Sequence, residues 1–422
     1  MIEKVKSFKK NRNILAVNSL LTYRGDLFVS VGATGEFWRY DGESWQLEYK
    51  LPKNQPWIGT TWGRIIWKEE LWFGGLEARL KQNGVIIHYD GEDWEPIRPK
   101  IGPEIWDLAA KKALYALDSK QILKSETGEQ WEVVSEIPRG EGRSIEILGQ
   151  TVYVGTTEGL LRYDLVDAEW EEIERDLLCN DLTRYSPVDG DWLIAGCANV
   201  PGGPYYIFDG ENWHPVRIGN HVNEERIKLT SHGEGGRGGN PYLFIPQAAP
   251  RGGPFGGQTG LGRLFVTDWS DFNCIFESSC AVTEAELYDG EIYFGTAWNK
   301  SYETLQGTNA SIFRISNIRE AMGRPALKHH LNVGETVQKS TTDAVFCAGY
   351  HRIWIGVEAS EAVDLKIEID PYGTFDWKTY EQLSIGSHEF TSITLSNIEV
   401  TMIRVTFETS PSSASVFVNL GS

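Results

Sequence analysis

Short apolar runs, most of them closed by small residues, recur along the chain: Leu27-Phe28-Val29, Leu71-Trp72-Phe73-Gly74-Gly75, Leu114-Tyr115-Ala116, Val152-Tyr153-Val154-Gly155-Thr156, Trp192-Leu193-Ile194-Ala195-Gly196, Tyr242-Leu243-Phe244-Ile245 and Ile292-Tyr293-Phe294-Gly295-Thr296. Their aromatic and β-branched content predicts strands. The runs begin at 27, 71, 114, 152, 192, 242 and 292, so successive starts lie 38 to 50 residues apart. That is room for four short strands and their turns. A single unit of this size leaves both faces of its sheet wet, so the units must stack on one another.

A second phrase keeps the same rhythm. Tyr40-Asp41-Gly42-Glu43-Ser44-Trp45 returns as Tyr89-Asp90-Gly91-Glu92-Asp93-Trp94 and Phe208-Asp209-Gly210-Glu211-Asn212-Trp213. Weaker copies stand at Tyr163-Asp164 to Trp170 and at Thr127-Gly128-Glu129-Gln130-Trp131. Asp-Gly is expected to supply the positive-φ positions of a tight hairpin turn, and the Trp to pack its apolar face between neighbouring sheets. The period and the motif predict an all-β chain with a seven-bladed β-propeller over residues 14–335, preceded by an N-terminal arm at 1–13.

The repeats resemble those of kelch-like and sialidase-like propellers, and Lys124-Ser125-Glu126-Thr127-Gly128-Glu129-Gln130-Trp131 looks like a degenerate Asp-box. The resemblance covers about residues 14 to 330 and implies an architecture. The arginine triad and tyrosine nucleophile of the sialidases have no residue-by-residue counterpart here.

After residue 335 the pattern changes. Arg352-Ile353-Trp354-Ile355-Gly356, Leu365 to Asp370, Phe375 to Tyr380, Phe390 to Leu395 and Thr401 to Phe407 alternate apolar and polar residues with period two. Residues 336–422 are expected to form a C-terminal β-sandwich, with an eighth blade, giving an eight-bladed propeller, as the rival. The segment resembles the small jelly-roll-like or carbohydrate-binding-module-like sandwiches appended to surface proteins and to phage tail and virion proteins.

Composition narrows the partners. The chain has 422 residues, with 44 Gly, 16 Trp and only 3 Met, as suits many short strands joined by turns. Forty Lys and Arg against 59 Asp and Glu give a net charge of −19, which repels polyanions and excludes nucleic acid as the expected partner. No apolar stretch of about 18 residues predicts membrane insertion, and Lys-rich Met1 to Asn13 lacks the apolar core of a signal peptide. A virion or cytoplasmic location is the expectation, or an extracellular one if a signal has been removed. The five cysteines, Cys179, Cys197, Cys274, Cys280 and Cys347, form no C-x-x-C pair and read as free buried thiols. No metal-ligand spacing, nucleophile elbow or phosphate loop is present, so no metal, cofactor or catalytic residue is assigned.

Loops that join the second strand to the third, and each blade to the next, gather on one face of a propeller. The second-to-third loops are long at Cys197 to Tyr205, Gln247 to Gly262 and Ala297 to Ser311. Aligning the blades places Trp62, Trp106, Arg143, Arg184 and Tyr185 near the starts of the innermost strands. Trp298 falls in a long loop, and Arg237 and Arg251 in glycine-rich segments. Aromatic faces stack on sugar rings and Arg binds acids bidentately, so these eight are the candidate ligand-binding residues. The leading expectation is a non-enzymatic platform that binds a protein partner in a larger assembly, or a surface glycan, as a virion, tail-associated or adhesion module. The alternative is a polysaccharide lyase or glycoside hydrolase in which Arg143, Arg184, Tyr185 and Arg237 neutralise a uronate and Tyr185 or His232 moves the proton.

Overall fold

A computed structural model describes the chain from residue 2 to 421, apart from 9–13, 52–56, 79–82, 186–191, 199–204, 218–225, 228–231, 249–261, 300–309, 322–330 and shorter stretches between them. Arg251 lies outside the described residues; Trp62, Arg237, Trp298 and His232 are described in backbone only.

Each apolar run of the sequence repeat is the second strand of an antiparallel sheet. Asp26–Val31, Glu70–Ala78, Leu114–Leu117, Thr151–Thr156, Trp192–Ala198, Leu243–Ala248 and Glu291–Asn299 each pair on both sides with strands of their own unit. Units 14–50, 57–97, 107–136, 142–175 and 178–217 are simple four-stranded meanders. Unit 226–278 carries an inserted hairpin, His232–Gly233 with Gly236–Arg237. First strands touch from unit to unit as far as unit 226–278, and Val282–Tyr288 of the last unit packs on Leu243–Ala248 of that unit and lies back against Ile14–Tyr23 of the first. The closed circuit of sheets is a β-propeller architecture.

The last unit draws only three strands from residues 282–315. Its fourth is Ile2–Ser7, antiparallel to Ser311–Ile315. The segment expected as a free arm thus closes the circuit, because an outer strand without a partner would leave a row of backbone groups unpaired.

The repeated phrase forms the turn from third to fourth strand. Gly42, Gly91, Gly128 and Gly210 take φ of +94°, +111°, +91° and +107°. The preceding Asp does not share the left-handed region, contrary to the expectation for an Asp-Gly turn. It works through its side chain instead: Asp41 Oδ1 accepts the Glu43 and Ser44 amides at 2.9 and 2.7 Å. The Trp opens the fourth strand and stacks on the aromatic that ends the third, Tyr40 on Trp45 at 4.8 Å and Tyr89 on Trp94 at 4.5 Å.

Small residues in the second strands have a steric cause. A Cβ at Gly155 would stand 2.7 Å from the Cys179 carbonyl oxygen, and one at Gly295 2.5 Å from Val17 Cβ. The first strand of the next sheet packs there, and only glycine leaves it room. Cys179, Cys274 and Cys347 are buried free thiols.

From Leu331 onward the strand order stops following the sequence. One sheet runs Leu331–Val337, Ala414–Gly421, Arg352–Ala359, Phe390–Ser396; the other runs Ala344–Phe346, Met402–Phe407, Val363–Asp370, Lys378–Ile385. Ile353, Ile355 and Val416 of the first share one core with Leu365, Ile403 and Phe407 of the second. The second sheet is joined to the ring through a parallel pairing of Ala344 and Val345 with Val216 and Arg217. Phe346 and Met402 enter a core with Tyr185, Trp192 and Tyr205, while Arg217 Nη2 meets Asp343 Oδ2 at 3.0 Å, both largely buried.

Candidate functional site around the channel

First strands expose one edge toward the middle of the ring, and the amides of that edge need acceptors. Carboxylates on the strands supply them. Asp107 Oδ1 accepts the Leu108 amide at 2.8 Å, Glu146 Oε1 that of Ile147 at 3.0 Å, Asp181 Oδ1 that of Leu182 at 3.1 Å and Glu284 Oε1 that of Ala285 at 3.3 Å. Asp107 Oδ2 also accepts the Ile145 amide at 3.1 Å and so ties two sheets together.

Arginines serve the carbonyls of the same edge. Arg64 gives Nε–H to Leu20 O at 2.9 Å and Nη2 to Glu284 Oε1 at 2.8 Å, with both side chains buried. Arg184 donates to Ile147 O and stands 3.3 Å from Glu146.

One carboxyl in this wall has no such task. Glu286 is fully buried, and neither of its oxygens receives a hydrogen bond of good geometry. Thr22 beside it gives its hydroxyl proton to Leu287 O at 3.1 Å. Burial, opposed by Arg64 and reinforced by Glu284, pushes the Glu286 carboxyl up to about 8.

Two candidates from the sequence come together at the mouth where the first strands begin. Trp106 immediately precedes Asp107, and Arg143 is the second residue of Gly142–Leu148. The Arg143 guanidinium carbon lies 4.0 Å from the centroid of the Trp106 ring, and Nη2 binds Glu141 at 3.0 Å. Its Nη1 is buried with no hydrogen-bond partner among the described residues. Burial draws the Arg143 pKa down, opposed by Glu141 and Glu104, and pushes the Glu104 carboxyl up, opposed by Arg143.

Arg184 and Tyr185 are elsewhere. Their strand starts at Leu178, so they end it, at the opposite mouth from Arg143. Tyr185 is completely buried, with its hydroxyl 3.5 Å from Thr267 O of the next sheet. Tyr23 and Tyr288, also last in their first strands, reach Glu69 O at 2.5 Å and Gly25 O at 3.0 Å in the same way. Tyr185 is therefore a latch between sheets and has no surface to offer a ligand. The blade alignment misplaced it because an apolar second strand does not fix where the first strand begins, and Tyr185 is the last of the eight residues from Leu178.

Sequence reading missed Arg64, Asp107, Glu146, Glu284 and Glu286. Each is a charge set inside an apolar strand, as in Ile145-Glu146-Ile147 and Ala285-Glu286-Leu287, and that signal was there to be read. Among the described residues no group of three or more His, Cys, Asp or Glu is placed to hold a metal ion.

No protein-family model matches the chain, and no curated protein sequence matches it. Among solved structures it is similar to the propeller-like extracellular domain of BT4673 from B. thetaiotaomicron, described as a hybrid two component system, with 13% identity and a TM-score of 0.52 over 90% of this chain and 47% of that one. A second structure of that domain, described as a one component system, gives 13% identity and a TM-score of 0.50 over 89% and 47%. The chain thus spans about half the length of these neighbours. Trypanosoma rangeli sialidase aligns over 100% of this chain and 95% of that one, but at 8% identity and a TM-score of 0.42 it carries no argument. At such identities the likeness shows a fold alone: all-β sheets in a propeller-type arrangement.

Proposed function

We propose that the chain is a seven-bladed propeller with a β-sandwich docked on its fifth blade, and that it works as a non-enzymatic binding platform. The sandwich reading rests on the non-sequential strand order after Leu331 and on the core its two sheets share. An eighth blade of the meander type has no support in that order.

The observation that carries the platform reading is the use made of the channel acids. Asp107, Glu146, Asp181 and Glu284 spend an oxygen on an edge amide of their own strand, so the most suggestive carboxylates of the fold hold it together. With Tyr185 buried and Arg184 turned to Glu146, the lyase or glycosidase reading loses one of its two proton carriers and one of its arginines. The mouth at Trp106 and Arg143 remains the place for a partner, because the guanidinium that stacks on the Trp106 ring keeps part of its side chain exposed there. A role in a virion, a phage tail or an adhesion assembly is one setting for such a platform, with a protein or a surface glycan as the partner.

The test is to incubate purified protein with neutral and acidic polysaccharides and follow polymer length by size-exclusion chromatography. Unchanged length distributions are expected. Shortened chains would overturn the reading and return attention to the Arg237 and His232 hairpin.

A further inference from the structure

In most units the ladder between first and second strands slips its register near the start of the first strand. The rung just before that shift is Val17–Val31 in the first unit, Thr61–Gly75 in the second, Gly142–Thr156 in the fourth and Val282–Thr296 in the last. In the fifth unit the equivalent rung is Cys179–Cys197, with the shift between Cys179 and Asp181. The chain has five cysteines in 422 residues, and two of them fill a rung that these other units fill with Val, Thr or Gly.

Ladder geometry suits a covalent link at this rung. Partners directly across an antiparallel ladder hold their Cα atoms about 4.5 or about 5.5 Å apart, according to whether the pair exchanges hydrogen bonds. Both separations fall inside the range of about 4.4–6.8 Å that disulfides span. The structure holds Cys179 as a free, completely buried thiol, the reduced state of the rung. The other described buried thiols sit in different cores: Cys179 packs with Tyr153 and Leu182 between the fourth and fifth units, Cys274 with Tyr185, and Cys347 with Ile353 in the C-terminal unit.

A bond here would reinforce a short ladder end. Beyond the shift only two rungs, Cys179–Cys197 and Leu178–Ala198, hold the start of the first strand to the end of the second. A crosslink closes the segment from 179 to 197 in the unfolded chain as well, and so removes freedom that folding must otherwise give up. We infer that Cys179 and Cys197 are a redox pair that closes to a cross-strand disulfide in the fifth unit under oxidising conditions. With oxidised glutathione as the oxidant, the thiolate of one cysteine opens the glutathione disulfide and releases one glutathione, and the thiolate of the other displaces the second glutathione from the mixed disulfide. Two electrons pass from the cysteine pair to the glutathione disulfide, and the two thiol protons go to the glutathione thiolates released.

The test is to refold the full chain from urea with oxidised glutathione in excess, alkylate the remaining thiols, and map the digested protein by mass spectrometry without reduction. One disulfide is expected, joining the peptides that carry Cys179 and Cys197, so that alkylated cysteines fall from five to three. The oxidised protein should melt at or above the temperature of the same protein kept reduced, because the native ladder already holds the two backbones at bonding distance. Five alkylated cysteines overturn the proposal, as does a glutathione adduct retained on either member of the pair, or a link from either to Cys274, Cys280 or Cys347. A protein linked as expected that melts below its reduced form also overturns it, since the bond would then form only against the fold.

Discussion

Glu286→Gln should make the protein more stable, and only at neutral to alkaline pH. In the fold this carboxyl is fully buried without a well-placed donor, and its pKa rises from 4.5 to about 8. Below pH 4.5 it is protonated both folded and unfolded, and it costs nothing through charge. Between 4.5 and about 8 the unfolded chain gives up the proton while the folded chain keeps it, so stability falls as pH rises. The slope is about 1.4 kcal/mol per pH unit, which gives a full loss of about 5 kcal/mol above pH 8. Glutamine has the same shape and no charge to bury, and its amide finds the Glu284 carboxylate nearby. Urea denaturation of both proteins at pH 5 and pH 9 reads the difference. The variant should match the wild type within about 1 kcal/mol at pH 5 and exceed it by about 3–5 kcal/mol at pH 9. A variant no more stable than the wild type at pH 9 would refute the reasoning and show that Glu286 is ionised in the fold and solvated or paired there.

Asp343→Ala leaves Arg217 buried in the contact between the ring and the C-terminal unit, and should cost about 3–5 kcal/mol, seen as a lower melting temperature and faster proteolysis between the two units. An unchanged melt would mean that water or another acceptor takes the place of Asp343. Gly295→Ala drives a methyl to 2.5 Å from Val17 Cβ, where the last sheet meets the first, and should cost about 1–3 kcal/mol in urea denaturation. Full stability in that variant would mean that Ile14–Tyr23 shifts at little cost.

Much of the ring was legible because a repeat reports the same local physics many times. Apolar runs became second strands, and the Asp-Gly-x-x-Trp phrase became the turn between third and fourth strands, since a turn and its flanking pairs depend on neighbours a few residues away. Trp106 and Arg143 were placed correctly near strand starts, and the structure brings them within 4.0 Å of each other. Arg184 and Tyr185 were not, because their strand begins at Leu178, and its own apolar pattern does not state where along its length the mouth falls.

The chain by itself determined its class, the unit length and the chemistry of its turns, all of them consequences of contacts within about 50 residues. Tertiary structure alone decided which strand would close the ring, since Ile2–Ser7 meets Ser311–Ile315 only after everything between has folded. It also decided which acids would be spent on edge amides and which one would be buried without a well-placed donor. An edge amide acquires its need for an acceptor only when the ring excludes water from it, and no local pattern in the sequence states where that will be.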